Sequence, residues 1–398
     1  MRRNLSISLL LIIFAFAFSS TSCADSVQRM ESDMSYQEYL VKEAEVPQIP
    51  QCPDINNSSD WDDETLAQFN TWWEAKDEHQ GIVIPNVEQL QKFICDSVRK
   101  LNEDRETQNF LYSPISLWLS LHTLANLTEG NSQTQILQAI GQQTDEERDK
   151  QLDAVYKSLY WEEDASTCVP ALSIWIDKNT EITDTLLARF AAGHTSVFQG
   201  NMGTAAYDEA LRLWLNEQTR GLLKDSVSQL RFEPNSGLSV CSTLYIKNGW
   251  SMPFNEKKTS ADVFYSESGE VTTDFMHSSD EGVVFQGNGF TSAFLDFRDG
   301  GGVALILPDD GRSPGELLNE DDVFRFLFSR KDWTDGLYGK VNLSVPKIDF
   351  LTDISLKRAL GKLGISDIFN PQTAHFSQEL TSDTELFVSS LEQYARLY

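Results

Sequence analysis

The side chains that most often carry out enzyme chemistry do not form a recognisable metal or catalytic pattern in this sequence. The five histidines lie far apart along the chain, at His79, His122, His194, His277 and His375. None of them has the HxxxH or HExxH spacing that places two imidazoles on one zinc ion. The sequence therefore predicts a protein that is not an enzyme.

The cysteines give no sign of a metal centre either. They lie at Cys23, Cys52, Cys95, Cys168 and Cys241, with neither a CxxC pair nor a Cys/His spacing. A structural zinc site needs four ligands at such spacings, so we expect no metal and no cofactor. An oxidising compartment would permit disulfides, but the spacing does not predict which cysteines would pair.

Two short loops could hold an ion but are better explained as turns. Residues 300–302 are three glycines that come after Asp299 between two predicted strands, which favours a hairpin turn over an anion-binding loop. Residues 309–311 are interpreted as a turn that closes the strand 303–308, rather than as a cation site. His122 lies within an apolar helix and is interpreted as a core histidine with satisfied hydrogen bonds.

The charge of the chain excludes one large class of function. Its 398 residues include 60 Asp and Glu against 32 Lys and Arg, a formal net charge of -28 at pH 7. No basic cluster is available to neutralise phosphates, so nucleic acid is not an expected partner. The length allows one large domain or two medium ones with an extensive apolar core.

The first residues have the pattern of an export signal. Arg2 and Arg3 precede the apolar run 5–18, after which come small residues and Cys23. The run is too short for a membrane span with its own flanks, so 1–22 is interpreted as a signal peptide. Its ending resembles a bacterial lipoprotein signal, in which Cys23 would carry the lipid; plain secretion is the alternative. The predicted location is the cell surface or the extracellular space, including an outer-membrane lipoprotein, with this lipid as the only membrane contact.

Residues 23–84 differ in composition from the rest of the chain. From 24 to 80 there are fourteen Asp and Glu against three Lys and Arg, and three prolines interrupt any periodicity. This composition predicts an acidic, largely disordered spacer. The segment also contains a local group of aromatic residues, at Trp61, Phe69, Trp72 and Trp73. We interpret this group as a short helix docked on the domain, with a partner site as the alternative.

The pattern from residue 85 onward is that of a packed domain. Apolar residues recur at helical spacing over 86–101, and Ser113 and Pro114 then begin a second helix as N-cap and first helical residue. This second helix is apolar nearly all round and should be wrapped by other elements. Later the period changes to two, as in the predicted strand 238–246. Helices first and strands later, without strict alternation, predict an α+β fold.

Local motifs succeed one another in this domain in an order typical of one known family. The positions that carry them are Asn109, Ser113, Pro114, Ser116, Trp214, Thr219, Gly221, Trp250, Phe254, Pro308, Pro346 and Gly364. The first four belong to an N-x-x-x-S-P-x-S helix start, and the next three to a W-x-x-x-x-T-x-G segment. In this order, the motifs resemble those of the serpin family.

The resemblance implies three β-sheets ringed by about eight or nine helices, and a suicide inhibitor of serine or sometimes cysteine proteases. In the family, an exposed loop near the C-terminus offers a bait bond to the protease. After acylation, the cut loop inserts as a new strand into the largest sheet and carries the protease with it. Such an inhibitor has no catalytic residues of its own, and its partner is the target protease.

The resemblance also implies a polar cluster, called the shutter, under the centre of the largest sheet. The family uses two serines, an asparagine and a histidine. Here Ser113 and Ser116 match the serines, whereas Ser242 stands for the asparagine and Gln393 for the histidine. A buried network whose members change can stay satisfied or lose its coupling, and the sequence leaves both outcomes open.

The last residues resemble the strand that leads toward the reactive loop of the family. The loop, its bait bond and the final strands of two smaller sheets would come after this strand, but the last residue is Tyr398. The domain 85–398 is therefore expected to be incomplete at the C-terminus, with the reactive-site bond outside the sequence. Inhibition is expected once that segment is present; the alternative is a non-inhibitory binding protein or an inactive fragment on the same scaffold.

Overall fold

The computed structural model describes residues 16–17, 35–53, 62–105, 109–141, 144–232, 237–266, 269–328, 336–382, 386–388 and 391–397. The α-helices in these ranges are α1 (Asp63–Gln80), α2 (Val87–Asn102), α3 (Pro114–Leu127), α4 (Gly130–Ile140), α5 (Asp145–Leu159), α6 (Asp184–Ala192), α7 (Ala205–Gln218), α8 (Pro314–Leu317), α9 (Asp321–Phe328) and α10 (Lys357–Lys362). The strands are β1 (Phe16–Ala17), β2 (Leu40–Lys42), β3 (Trp161–Glu162), β4 (Thr167–Asp177), β5 (Glu181–Ile182), β6 (Thr195–Gly200), β7 (Leu238–Lys247), β8 (Ser260–Ser266), β9 (Gly269–Gly287), β10 (Phe290–Asp296), β11 (Gly302–Pro308), β12 (Gly336–Pro346), β13 (Phe350–Ser355), β14 (Leu380–Thr381) and β15 (Glu392–Leu397). The predicted α+β class is confirmed.

Helix α3 lies at the centre of the molecule, and every one of its residues is buried. It begins as the sequence predicts: the Ser113 hydroxyl accepts a hydrogen bond from the Ser116 backbone N–H, and Pro114 occupies the first helical position. Because its surface is apolar nearly all round, it is enclosed by α2, α4 and α5 and by the largest sheet.

The largest sheet has the strand order β1-β7-β4-β6-β2, with β3 paired to β4. A second sheet has the order β11-β10-β9-β12, with β8 paired to β9, and β13–β15 and β5–β14 form two-stranded sheets. The described residues thus form four hydrogen-bonded groups where the resemblance implies three sheets. One of the two-stranded groups contains β15, which pairs with β13 and with no other described strand.

Two apolar clusters lie on opposite faces of the largest sheet. Along β4, Leu172, Ile174 and Ile176 belong to the cluster around α3, whereas Trp175 belongs to an aromatic cluster under α7. This division results from the period of two in a strand, which sends successive side chains to opposite faces. Helix α7 therefore covers one face of the sheet and α3 covers the other.

The structure differs from the predicted disordered spacer over much of 35–84. A 3-10 helix at Tyr36–Tyr39 leads into β2, which pairs with the outer strand β6. Helix α1 comes next, and Trp72 is only 8% exposed, so the docked-helix interpretation is confirmed for that residue. Its indole N–H donates to the carboxylate of Glu163. Composition averages over the whole acidic segment and therefore misses the few aromatic side chains that anchor it.

Some predictions fall on residues that the structure does not describe. They include Cys23, Trp61 and all of the signal peptide 1–22 except the two residues of β1. Strand β1 pairs in parallel with the end of β7. None of the described helices is long and apolar enough to cross a membrane.

The predicted turns are confirmed, but the prediction for His122 is only half right. Gly300 and Gly301 have φ of 97° and 74° and connect β10 to its antiparallel neighbour β11, so they form a hairpin turn. Gly311, with φ of 87°, lies in the turn after β11. His122 is fully buried as expected, yet neither ring nitrogen has a hydrogen-bond partner among the described residues. Its nearest aromatic neighbour on the helix is Trp118, at a ring distance of 3.8 Å.

Candidate functional site

A cleft separates β7 from β15 and has a volume of about 260 Å³. Along one edge, β7 pairs with β4 over its whole length, but on the other edge the described residues supply only β1, which pairs at Ile246 and Lys247. Strand β15 pairs with β13 along one edge, and no described strand pairs with its other edge over 392–395. Backbone hydrogen-bonding groups of both strands therefore face a gap that could hold a further strand.

Helix α7 and the segment after it border the same cleft. Leu211 and Leu215 line it from the helix, and Thr219, at the end of α7, lines it as well. The Thr219 hydroxyl donates to the Leu215 carbonyl at 2.7 Å. Gly221, two residues after Thr219, has φ of 81°, a left-handed conformation that a side chain would strain. These two residues therefore end the helix beside the cleft.

Gln393 joins β15 to the start of α3. Its Oε1 accepts from the Ser113 backbone N–H at 2.7 Å, and its Nε2 donates to the Ser113 carbonyl at 3.0 Å. One side-chain amide thus satisfies both backbone groups of the residue that caps α3. A glutamine can bind both groups because its side-chain amide has a donor and an acceptor at the same end.

The network continues from Ser113 through α3 to β7. The Ser113 and Ser116 hydroxyl oxygens are 2.9 Å apart, and the Ser120 hydroxyl donates to the Ser242 hydroxyl at 2.8 Å. Ser120 and Ser242 both contact the Ser116 carbonyl, at 2.9 and 3.3 Å. The structure therefore brings together all four residues of the predicted shutter, and their network links β15 to β7 below the cleft. Whether it acts as a shutter stays a prediction.

Sequence reasoning missed Ser120, which connects the two halves of this network. The available signal was its position four residues after Ser116, which places both side chains on one face of a helix. Ser242 faces the network because side chains alternate along β7, and its neighbour Cys241 faces the aromatic cluster. Burial raises the pKa of Cys241 to about 12, which favours the protonated thiol.

The other motif residues have structural positions, most of them away from the cleft. Trp214 is buried in the aromatic cluster, 6.3 Å from the ring of Trp175. The Trp250 ring lies 5.2 Å from Phe297 and 6.1 Å from Phe254. The remaining positions are Asn109, exposed before α3; Pro308 and Pro346, buried at the ends of β11 and β12; and Gly364, with φ of 89°, after α10.

One short motif that is known from hydrolases has a structural role here. Residues 311–315 spell GxSxG, a pattern that sequence reasoning overlooked and that marks a nucleophilic serine in some hydrolases. Here Ser313 is the N-cap of α8: its hydroxyl accepts from the Glu316 N–H at 3.1 Å, and its own N–H donates to the Glu316 carboxylate at 2.9 Å. Within the described ranges, no three His, Cys, Asp or Glu side chains are close enough to hold a metal ion.

Comparison with known proteins agrees with the motifs. The family model for serpins (serine protease inhibitors) matches residues 88–397. Leukocyte elastase inhibitor of Xenopus laevis is 24% identical over 316 residues, which cover 75% of this chain and 81% of the relative. Corticosteroid-binding globulin of Pongo abelii is 22% identical over 362 residues, covering 86% and 84%. The native-state crystal structure of the thermophilic serpin tengpin aligns with a TM-score of 0.69 at 20% identity, covering 79% of this chain and 81% of that one. Because the family model matches well over half of its residues, the chain belongs to the serpin family.

Proposed function

We propose that the protein inhibits serine endopeptidases, or alternatively cysteine endopeptidases, by taking a cleaved loop of its own into the cleft between β7 and β15. The observation that carries this proposal is the cleft itself. Among the described strands, none pairs with the cleft-facing edge of β15 over 392–395 or with most of the cleft-facing edge of β7. An inserted strand would form hydrogen bonds along both edges and bury its inward side chains, which drives the conversion. The name of the amphibian relative, an elastase inhibitor, supports the same class of target.

The polar network gives the cleft a physical means of opening. It connects β15 to β7 through hydroxyl and amide groups rather than through continuous strand pairing. Side-chain hydrogen bonds of this kind can be exchanged one at a time for bonds to an entering strand, at a small net cost each. The parallel pairing of β1 with Ile246 and Lys247 supports the view that this edge of β7 accepts an added strand.

The proposal requires a bait segment joined to β15. By resemblance to the family this segment would come after Tyr398, and we propose that the natural protein contains it. We further propose that 1–22 is removed on export and that Cys23 carries a lipid, so that the protein faces proteases outside the cell. The intact mass of protein isolated from its own host tests these points together. A lipid on Cys23 adds mass at the N-terminus, and peptides after Tyr398 would reveal the bait segment.

The inhibitory function is tested with the host-isolated protein and a panel of serine proteases and one papain-like cysteine protease. We expect a one-to-one complex that survives boiling in detergent with at least one active protease. The matched control is the same protease with its nucleophile replaced by alanine, which cannot acylate and should give no such complex. Cleavage without a stable complex, against every protease in the panel, would contradict the proposal.

A protein that no protease of the panel cuts or traps would favour the alternative, a non-inhibitory binding protein on the same scaffold. One relative, corticosteroid-binding globulin, is named for a ligand rather than for a protease. The two functions differ in a simple way, since binding is reversible and leaves the protein uncut.

A further inference from the structure

Residues 35–46 lie along the edge of the largest sheet that is opposite the cleft. Their strand β2 pairs antiparallel with β6, which is otherwise the outermost strand on that side. After β2, the Ala44 N–H donates to the Ser196 hydroxyl at 3.1 Å, and the Glu45 N–H donates to the Ala191 carbonyl at 2.9 Å. The segment is thus fixed to β6 and to the end of α6 by backbone hydrogen bonds.

The same residues also contact α7. Tyr36 is only 8% exposed, and its ring meets that of Phe198 on β6 edge to face at 5.9 Å. The Tyr39 ring lies 4.9 Å from that of Tyr207 on α7. Burial, together with the nearby carboxylate of Glu217, raises the pKa of Tyr36 to about 12. The phenol therefore stays protonated and can donate to Glu217, which is the last acidic residue of α7.

A buried histidine anchors the far end of the segment. The His194 Nδ1 is 2.6 Å from the Glu45 carbonyl oxygen, its Nε2 is 3.2 Å from Asp153, and its ring stacks on Tyr156 at 3.9 Å. A carbonyl oxygen only accepts, so Nδ1 carries a proton. His194 also has φ of 59°, a left-handed backbone conformation that histidine adopts more readily than most residues. The ring of His194 thus connects Glu45 to α5.

The aromatic cluster under α7 extends from this segment to the cleft. It contains Tyr36 at one side, Trp175 and Trp214 in the middle, and it is contacted by Cys241 on β7 and Tyr394 on β15. Helix α7 lies over the whole cluster, and its last turns line the cleft. A movement of β7 away from β15 would therefore disturb the packing of α7 on this cluster, to which Tyr36 belongs.

We propose that residues 35–46 act as an intramolecular clamp, which holds α7 and β6 together and thereby resists opening of the cleft. The inference rests on the proposed function for its biological meaning, because opening of the cleft matters only if a strand enters it. The clamp would keep the cleft closed until a tethered loop competes for it. The mechanical part of the proposal can be tested without any protease.

The test is hydrogen exchange of the full-length protein, read peptide by peptide, in the variant Tyr36→Ala. We expect amides of α7 and of 239–244 in β7 to exchange about tenfold faster, because local opening costs less free energy once the clamp is released. The control is Val41→Ala, a truncation in the same segment at a side chain that is 42% exposed. It should leave these rates within about twofold of the wild type.

A second variant keeps the test decisive if Tyr36→Ala does not fold. Tyr36→Phe retains the ring and removes only the hydroxyl near Glu217, and we expect exchange in α7 to rise about threefold. Faster exchange confined to β2, or an equal increase in every element, would overturn the proposal. A protein that shows the expected exchange but forms no protease complex would retain the clamp and lose only the proposed inhibitory function.

Discussion

Gln393 illustrates at the scale of single residues how a polar network tolerates a changed member. By resemblance to the family a histidine is expected at this position, and an imidazole offers one donor and one acceptor on opposite sides of a ring. The amide of Gln393 has both at one end, and it binds the N–H and the carbonyl of Ser113 together. The hydrogen-bonding groups of these residues are therefore satisfied here, whereas their coupling as a shutter stays a prediction.

We expect the substitution Gln393→Ala to lower the free energy of unfolding by roughly 1–3 kcal/mol, because the Ser113 N–H loses its partner in a half-buried place. The Ser113 carbonyl loses one bond and keeps the longer one from the Leu117 N–H, at 3.3 Å. Urea unfolding monitored by circular dichroism measures this change. The matched control is Gln372→Ala, whose side chain is exposed. It should change the free energy by less than about 0.5 kcal/mol. Equal effects of the two substitutions would show that the Gln393 bonds contribute nothing to stability.

Helix α1 illustrates at the scale of elements how a few contacts can order a segment whose acidic composition predicts disorder. Lys76 forms an ion pair with Asp299 at 3.0 Å and also lies 4.8 Å from the centre of the Trp72 ring. Trp72 and Trp161 both donate to Glu163. Most of the stability of a helix in a protein comes from tertiary packing, so these contacts with the domain account for the order of α1.

The adjacent tryptophans of α1 allow a direct test of this explanation. Trp72→Ala should release the helix and raise amide exchange over 63–80 by at least about tenfold, because the helix is then stabilised only by its own weak propensity. Trp73 is 57% exposed, and Trp73→Ala should change exchange by less than about twofold. A similar response to both substitutions would mean that the helix forms independently of its docking.

Lowering the pH has two opposite effects on the stability of the whole molecule. The net charge of -28 makes the folded chain repel itself, and protonation of carboxylates at low pH relieves that repulsion. His122 acts in the other direction. Its burial, together with the charge of Arg148, holds the pKa of its imidazole well below the ordinary value of 6.5.

The pH dependence of His122 has a definite sign. Below about pH 6.5 the unfolded chain binds a proton at His122 that the folded chain does not bind. The free energy of unfolding therefore falls by up to about 1.4 kcal/mol for each unit by which the pH is lowered. His122→Leu should remove this part of the slope when urea unfolding is compared between pH 7 and pH 5. The matched control is Thr123→Val, a change of similar size at a buried residue of the same helix that does not titrate, and it should leave the slope unchanged. An unaltered slope in His122→Leu would contradict the assignment.

Much of this protein was determined by local sequence. The cap and first residue of α3, the alternation along β7, the hairpin at Gly300 and the order of the family motifs could all be predicted. These features depend on backbone preferences and on side-chain periodicity, which act over a few residues and can be recognised in a single chain. The acidic composition likewise excluded nucleic acid as an expected partner.

The tertiary structure decided which of these elements meet. The family resemblance placed Gln393 and Ser113 in one cluster, but the structure shows which groups bond across the 280 residues between them. It also brings Ser120 into the network and makes β2, from the acidic segment, an edge strand. No local signal contains this information, since such contacts depend on how the topology brings distant surfaces together and on which strand edges it leaves open. The cleft between β7 and β15 is therefore a property of the assembled fold, because the sequence of a single strand does not specify which strand will lie beside it.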